Sequence, residues 1–97
     1  MTNIYQRKDI KMIQKFLEKR LRKRIKKKYQ EAMSNDYSDC GFPIFHMERD
    51  LHLTYLALLK DDNMRKKSLL SKETYTVVVK DYYEELMRDF KEEYYSR

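Results

Sequence analysis

A chain of 97 residues with one glycine, one proline and one cysteine can form one domain with a modest core. That composition argues against an all-β fold, whose turns consume glycine and proline, and against a glycine-built phosphate loop. It also excludes an intramolecular disulfide and a cysteine-based zinc site. Charged residues make up 39% of the chain against a usual share of about 25%, and the net charge of +6 is unevenly placed. Residues 1–33 hold 12 Lys/Arg and 3 Asp/Glu, a balance of +9, while residues 34–97 hold 10 and 13, a balance of −3. An anionic partner therefore belongs to the first third of the chain.

In that first third, Ile10, Ile13, Leu17, Leu21, Ile25, Tyr29 and Ala32 recur at helical spacing and predict one helix over about 4–33 with a single apolar stripe. Eight of the ten residues from Lys19 to Lys28 are cationic. Lys19, Arg20, Arg22, Lys23, Lys26 and Lys27 fall on the arc opposite the stripe, whereas Arg24 and Lys28 flank it and lay their stems along the core edge. Thirty helical residues span about 45 Å, more than the roughly 30 Å diameter of a small domain, so the helix projects or bends, or the molecule is elongated. Met12 and Phe16 face away from the stripe; they either cover a second contact, for which another subunit in a homodimer is the expected provider, or are simply exposed.

Residues 34–42 gather turn formers and the only glycine, and read as a loop. Pro43 suits the first position of a second helix, over about 43–60. There Met47, Leu51, Tyr55 and Leu58 form one stripe and Phe45, His52, Leu56 and Leu59 an adjacent one. A helix apolar around more than half its circumference is expected at the centre of the fold, with Leu51 and Leu56 sharing a core with Leu21 and Ile25. Asp61-Asp62-Asn63 makes a turn able to cap a short helix over about 64–70.

Ser71 is placed to cap a last helix over about 72–95, whose stripe is Tyr75, Val79, Tyr82, Leu86, Phe90 and Tyr94. Residues 74–79 are strand-like in propensity, five of the six being β-branched. The stripe runs through them unbroken, so a helix is expected. The outward face is acidic, with Asp81, Glu84, Glu85, Asp89, Glu92 and Glu93. The architecture read from the chain is a single all-α domain over residues 1–97, an elongated bundle of three long helices with a short connecting helix.

The chemistry-bearing groups are sparse. His46 and Asp50 share a helix face, but His52 is rotated away from His46 and Cys40 lies in the loop, so no metal and no cofactor is expected. His52 reads as a packed, hydrogen-bonded histidine. Asp61 and Asp62 are adjacent and diverge, and nothing else makes a poised acid, base or nucleophile, so no catalysis is expected. The tyrosines could stack bases, but at helical spacing they read first as core and interface residues. Ser71-Lys72-Glu73-Thr74 followed by Val77 and Val78 resembles the opening of a recognition helix in helix-turn-helix proteins. Against that stand a preceding turn over 61–70 that is too long for the usual tight turn and the acidity of the helix, which favour a capped packing helix.

The expectation drawn from these residues is non-catalytic nucleic-acid binding, in which Lys19, Arg20, Arg22, Lys23, Arg24, Lys26 and Lys27 meet the phosphates of a duplex without sequence preference. The competing reading is a helical interaction or oligomerisation module whose basic helix engages an acidic protein surface; an anionic membrane surface is a third. A lone cysteine and an N-terminus without an apolar h-region point to a reducing, cytoplasmic location, and no apolar run reaches membrane-spanning length. Small size and high charge suit a virus or mobile element.

Overall fold

The computed structural model describes residues 4–34, 37 and 41–95, with side chains from residue 11 onward. Its architecture is the expected all-α one: α1 (Ile4–Ala32), α2 (Pro43–Leu59), the short α3 (Asp62–Ser68) and α4 (Lys72–Tyr94). Local chemistry sets several boundaries. Pro43, which has no N–H to leave unpaired, opens α2. Asp61 caps α3, its Oδ1 accepting from the Met64 N–H at 3.0 Å, and Ser71 caps α4, its Oγ accepting from the Thr74 N–H at 3.2 Å.

The β-branched run is helical because three of its neighbourhood's side chains, Tyr75, Val78 and Val79, are buried. Each apolar side chain taken fully out of water is worth about 1.5–3 kcal/mol, which outweighs a propensity deficit of at most about 0.7 kcal/mol per residue. The core forms where Leu21, Ile25 and Tyr29 of α1 meet Leu51 and Leu58 of α2 and Tyr75, Val79 and Phe90 of α4. Aromatic stacking ties the layers together. Tyr29 lies on Tyr82 at 5.7 Å between centroids, and Tyr55 on Tyr83 at 4.2 Å.

Three expectations fail at the edges of this core. Ile13 is 58% exposed although it continues the stripe of Leu21, because α1 runs past its packing partners. Leu56 is 38% exposed and Phe45 67% exposed, and His52 is exposed as well. The second stripe of α2 is thus largely open, since α1 and α4 both pack on the side of Leu51 and Leu58; α2 flanks the core rather than being surrounded by it. Ile10 lies among residues whose side chains are not described, and Cys40 outside the described residues.

The molecule measures 63 × 30 × 17 Å with a radius of gyration of 16.7 Å, against about 12.5 Å for a compact chain of this length. A 29-residue α1, about 44 Å long, accounts for that elongation. Every side chain from Lys11 to Phe16 is exposed, so the helix projects beyond the bundle. Among the described residues, no helix is long and apolar enough to cross a membrane. The connection from α3 to α4 is Leu69, Leu70 and Ser71, far shorter than the whole segment 61–70, because α3 occupies Asp62–Ser68, two residues earlier at each end than the short helix expected over 64–70.

Candidate nucleic-acid interface

The burial of Leu21, Ile25 and Tyr29 fixes the rotation of α1, and that rotation places its cations. Lys19, Arg20, Lys23, Lys26 and Lys27 are exposed, as is Lys28, while Arg22 and Arg24 are half-buried. Lys19, Lys23 and Lys26 follow one another at helical spacing and make a ridge along the outer face. Holding like charges together on a helix is unfavourable by a few tenths of a kcal/mol per neighbouring pair, so the helix depends on its apolar stripe to keep them in place.

Arg22 is set apart from the other six. Its guanidinium meets the Glu85 carboxylate of α4 at 2.5 Å and lies over the Tyr82 ring at 5.3 Å. It therefore fastens α1 to α4, a contact worth a modest amount at a half-exposed position. Among the described residues, Arg22 is the only one of the seven predicted contacts that is in an ion pair.

The structure joins to this surface one cation from another element, Lys67, that sequence reasoning missed. A groove of about 420 Å³ between α1 and α3 is lined by Arg24, Lys27 and Lys28 on one side and Lys67 with Asn63 on the other. The carboxylates Glu31 and Asp61 also line it, Asp61 with one oxygen capping α3, so four cations there face two carboxylates. The signal was present in the run Arg65-Lys66-Lys67. In sequence that run belongs to the acidic remainder of the chain, whereas the fold brings its Lys67 beside α1.

The remaining candidates are structural. Among the described residues no three His, Cys, Asp or Glu side chains converge as a metal site would require. Asp50 accepts a hydrogen bond from the Tyr37 hydroxyl at 2.5 Å, and His52 Nδ1 lies 3.3 Å from the Tyr83 hydroxyl while its ring remains exposed. Tyr29 and Tyr75 are buried, and Tyr55, Tyr82, Tyr83 and Tyr94 half-buried. Burial is the main cause that pushes the Tyr29 phenol well above its ordinary range, with neighbouring tyrosines adding to it. Tyr75 is pushed up to about 12, first by burial and then by the Asp61 carboxylate. Both remain protonated donors at neutral pH.

No protein family, curated protein or solved structure matches this chain.

Proposed function

We propose that this chain is a non-catalytic nucleic-acid-binding protein that uses α1 to meet backbone phosphates. The observation that carries the reading is the ridge of Lys19, Arg20, Lys23, Lys26 and Lys27, exposed and outside any ion pair among the described residues, on a helix locked to the core by Leu21 and Ile25. Cations already engaged within a fold are poorly available to phosphate; these are available, and Arg24 and Lys67 extend them into a groove. Arg22 serves mainly to fasten α1 to α4.

The test is replacement of Lys19, Lys23, Lys26 and Lys27 together by Gln, a residue of nearly equal helix propensity. Duplex binding should weaken and lose most of its salt dependence while the circular dichroism spectrum stays unchanged. Undiminished binding by the folded variant would refute the assignment.

A second reading, a helical interaction module acting as a homodimer or on an acidic protein surface, draws support from another observation. Phe45 and Leu53 on α2 and Met12 and Phe16 on α1 are each more than half exposed, and exposed apolar groups in number favour a protein contact. The Arg22 to Glu85 pair also illustrates how a cation of α1 can meet a carboxylate. Light scattering on the wild type and on Phe16→Glu and Phe45→Glu variants tests the homodimer, which either reading allows: a dimer converted to monomer by either substitution supports the contact, and duplex binding that is absent from both dimer and monomer favours the second reading. A cytoplasmic location and a viral or mobile-element source complete the proposal.

A further inference from the structure

The three residues between α3 and α4 make a tight, internally bonded turn. Leu69 adopts the left-handed conformation (φ 62°, ψ 12°) at the end of α3, and its N–H donates to the Lys66 carbonyl at 3.2 Å. Leu70 donates its N–H to the hydroxyl of the buried Ser68 at 3.2 Å, and Ser71 caps the helix that follows. Packing from beneath holds the arrangement, because Met64, Leu70, Tyr75 and Val78 are all buried. The Tyr75 hydroxyl donates to the Leu58 carbonyl, anchoring the start of α4 to the end of α2. A short helix, a three-residue turn with a left-handed residue and a longer capped helix, packed on a preceding helix, is the connectivity of a helix-turn-helix unit.

This packing leaves the opening of α4 facing outward. Lys72, Glu73, Thr76, Val77 and Lys80 are exposed, and at these spacings they share one face. Val77 is 55% exposed while its neighbour Val78 is buried, so the face offers methyl groups as well as hydrogen-bonding groups. The face is less acidic than the rest of α4: residues 72–80 carry two lysines and one glutamate, Glu73, and the dense carboxylates begin at Asp81 and rejoin this face only at Glu84. Cations flank the unit. Lys67 shares its groove with Arg24, Lys27 and Lys28 of α1, and farther along, an open cleft separates the turn from Ile13, Gln14 and Leu17 of the same helix.

We infer that α3 and α4 form a helix-turn-helix unit whose second helix places Lys72, Thr76, Val77 and Lys80 in the major groove of duplex DNA, while α1 grips the adjacent backbone. The inference rests on the nucleic-acid reading and adds base recognition to it. The major groove, about 12 Å wide, admits one helix. Its base edges suit these side chains: guanine O6 and N7 accept from lysine, the Thr76 hydroxyl, which donates to the Lys72 carbonyl at 2.8 Å, is left to accept from a base amino group, and the thymine methyl packs against valine. The N-terminal end of α4, where the helix dipole and Lys72 are positive and Glu73 is the one carboxylate of the first turn, is the end that approaches the phosphates.

The experiment is repeated selection by the full chain from a library of random-sequence duplexes, in parallel with a Thr76→Ala, Val77→Ala double variant. Both positions are exposed and alanine is the better helix former, so the fold is kept. We expect the wild type to enrich a short motif in which single mismatches weaken binding about fivefold or more. The double variant should lose or change that motif while still binding random duplex with the same salt dependence. If the wild type binds duplex but enriches nothing, or the double variant enriches the same motif, the inference is overturned and the phosphate-binding reading stands. Preference for the single-stranded or RNA form of the motif overturns the duplex assignment. Absence of duplex binding at low salt overturns both readings.

Discussion

Leu21 and Ile13 occupy the same predicted stripe of α1, yet replacing each by alanine should have very different consequences. Leu21 is 1% exposed, against Ile25 at 0% and Tyr75 at 1% in the same core. Leu21→Ala removes three carbons from water-free surroundings, a transfer loss of about 2.4 kcal/mol at roughly 0.8 kcal/mol per carbon. If the site does not collapse, a void of roughly 80 Å³ adds up to about 2 kcal/mol, giving a total of about 2.5–4.5 kcal/mol. Ile13, at 58% exposure, has less than half of its surface to lose, and alanine's helix propensity offsets part of that, leaving about 0.5 kcal/mol or less. Urea denaturation followed by far-ultraviolet circular dichroism measures both. Leu21→Ala should lower the midpoint at unchanged slope and reduce Tm by about 10–30 °C, while Ile13→Ala stays near wild type. Equal costs for the two variants, or a Leu21→Ala cost below about 1 kcal/mol, would refute the packing account.

Two tyrosines give further tests. Tyr75 titrates near 12 in the fold against 10.0 when unperturbed. Its contribution is therefore complete below about pH 10 and is lost as pH rises from about 10 through 12, a window worth about 3 kcal/mol. Tyr75→Phe should cost about 1 kcal/mol at neutral pH by removing the hydrogen bond to Leu58 and should make the alkaline decline shallower; an unchanged alkaline profile would contradict this. The buried Tyr29 hydroxyl has no hydrogen-bond partner, so Tyr29→Phe should raise stability by about 1 kcal/mol in the same urea assay, and a loss of that size would count against it.

Helical periodicity made most of this fold legible, because a stripe such as Leu21, Ile25 and Tyr29 states which face is buried without reference to anything else. It does not state where burial stops. Ile13 and Leu56 satisfy the same pattern as Leu21 and Leu51, and only the lengths and placement of neighbouring helices decide that the first pair is left in water. The basic ridge was equally legible, since eight cations in ten residues have one outward arc to occupy. The groove with Lys67 was not, because it depends on α3 returning beside α1. Nor was the short turn at Leu69. A leucine carries no signature of left-handed conformation, which glycine or asparagine would have announced, and without it the segment before Ser71 reads as too long for a helix-turn-helix connection.

The most direct test of nucleic-acid binding is the affinity of the wild-type chain for a random-sequence duplex across a salt series. Five exposed cations of α1, Lys19, Arg20, Lys23, Lys26 and Lys27, each neutralising one phosphate, predict a slope of log K against log salt of about −4 to −5. A slope near zero, or no binding at low salt, would contradict the account.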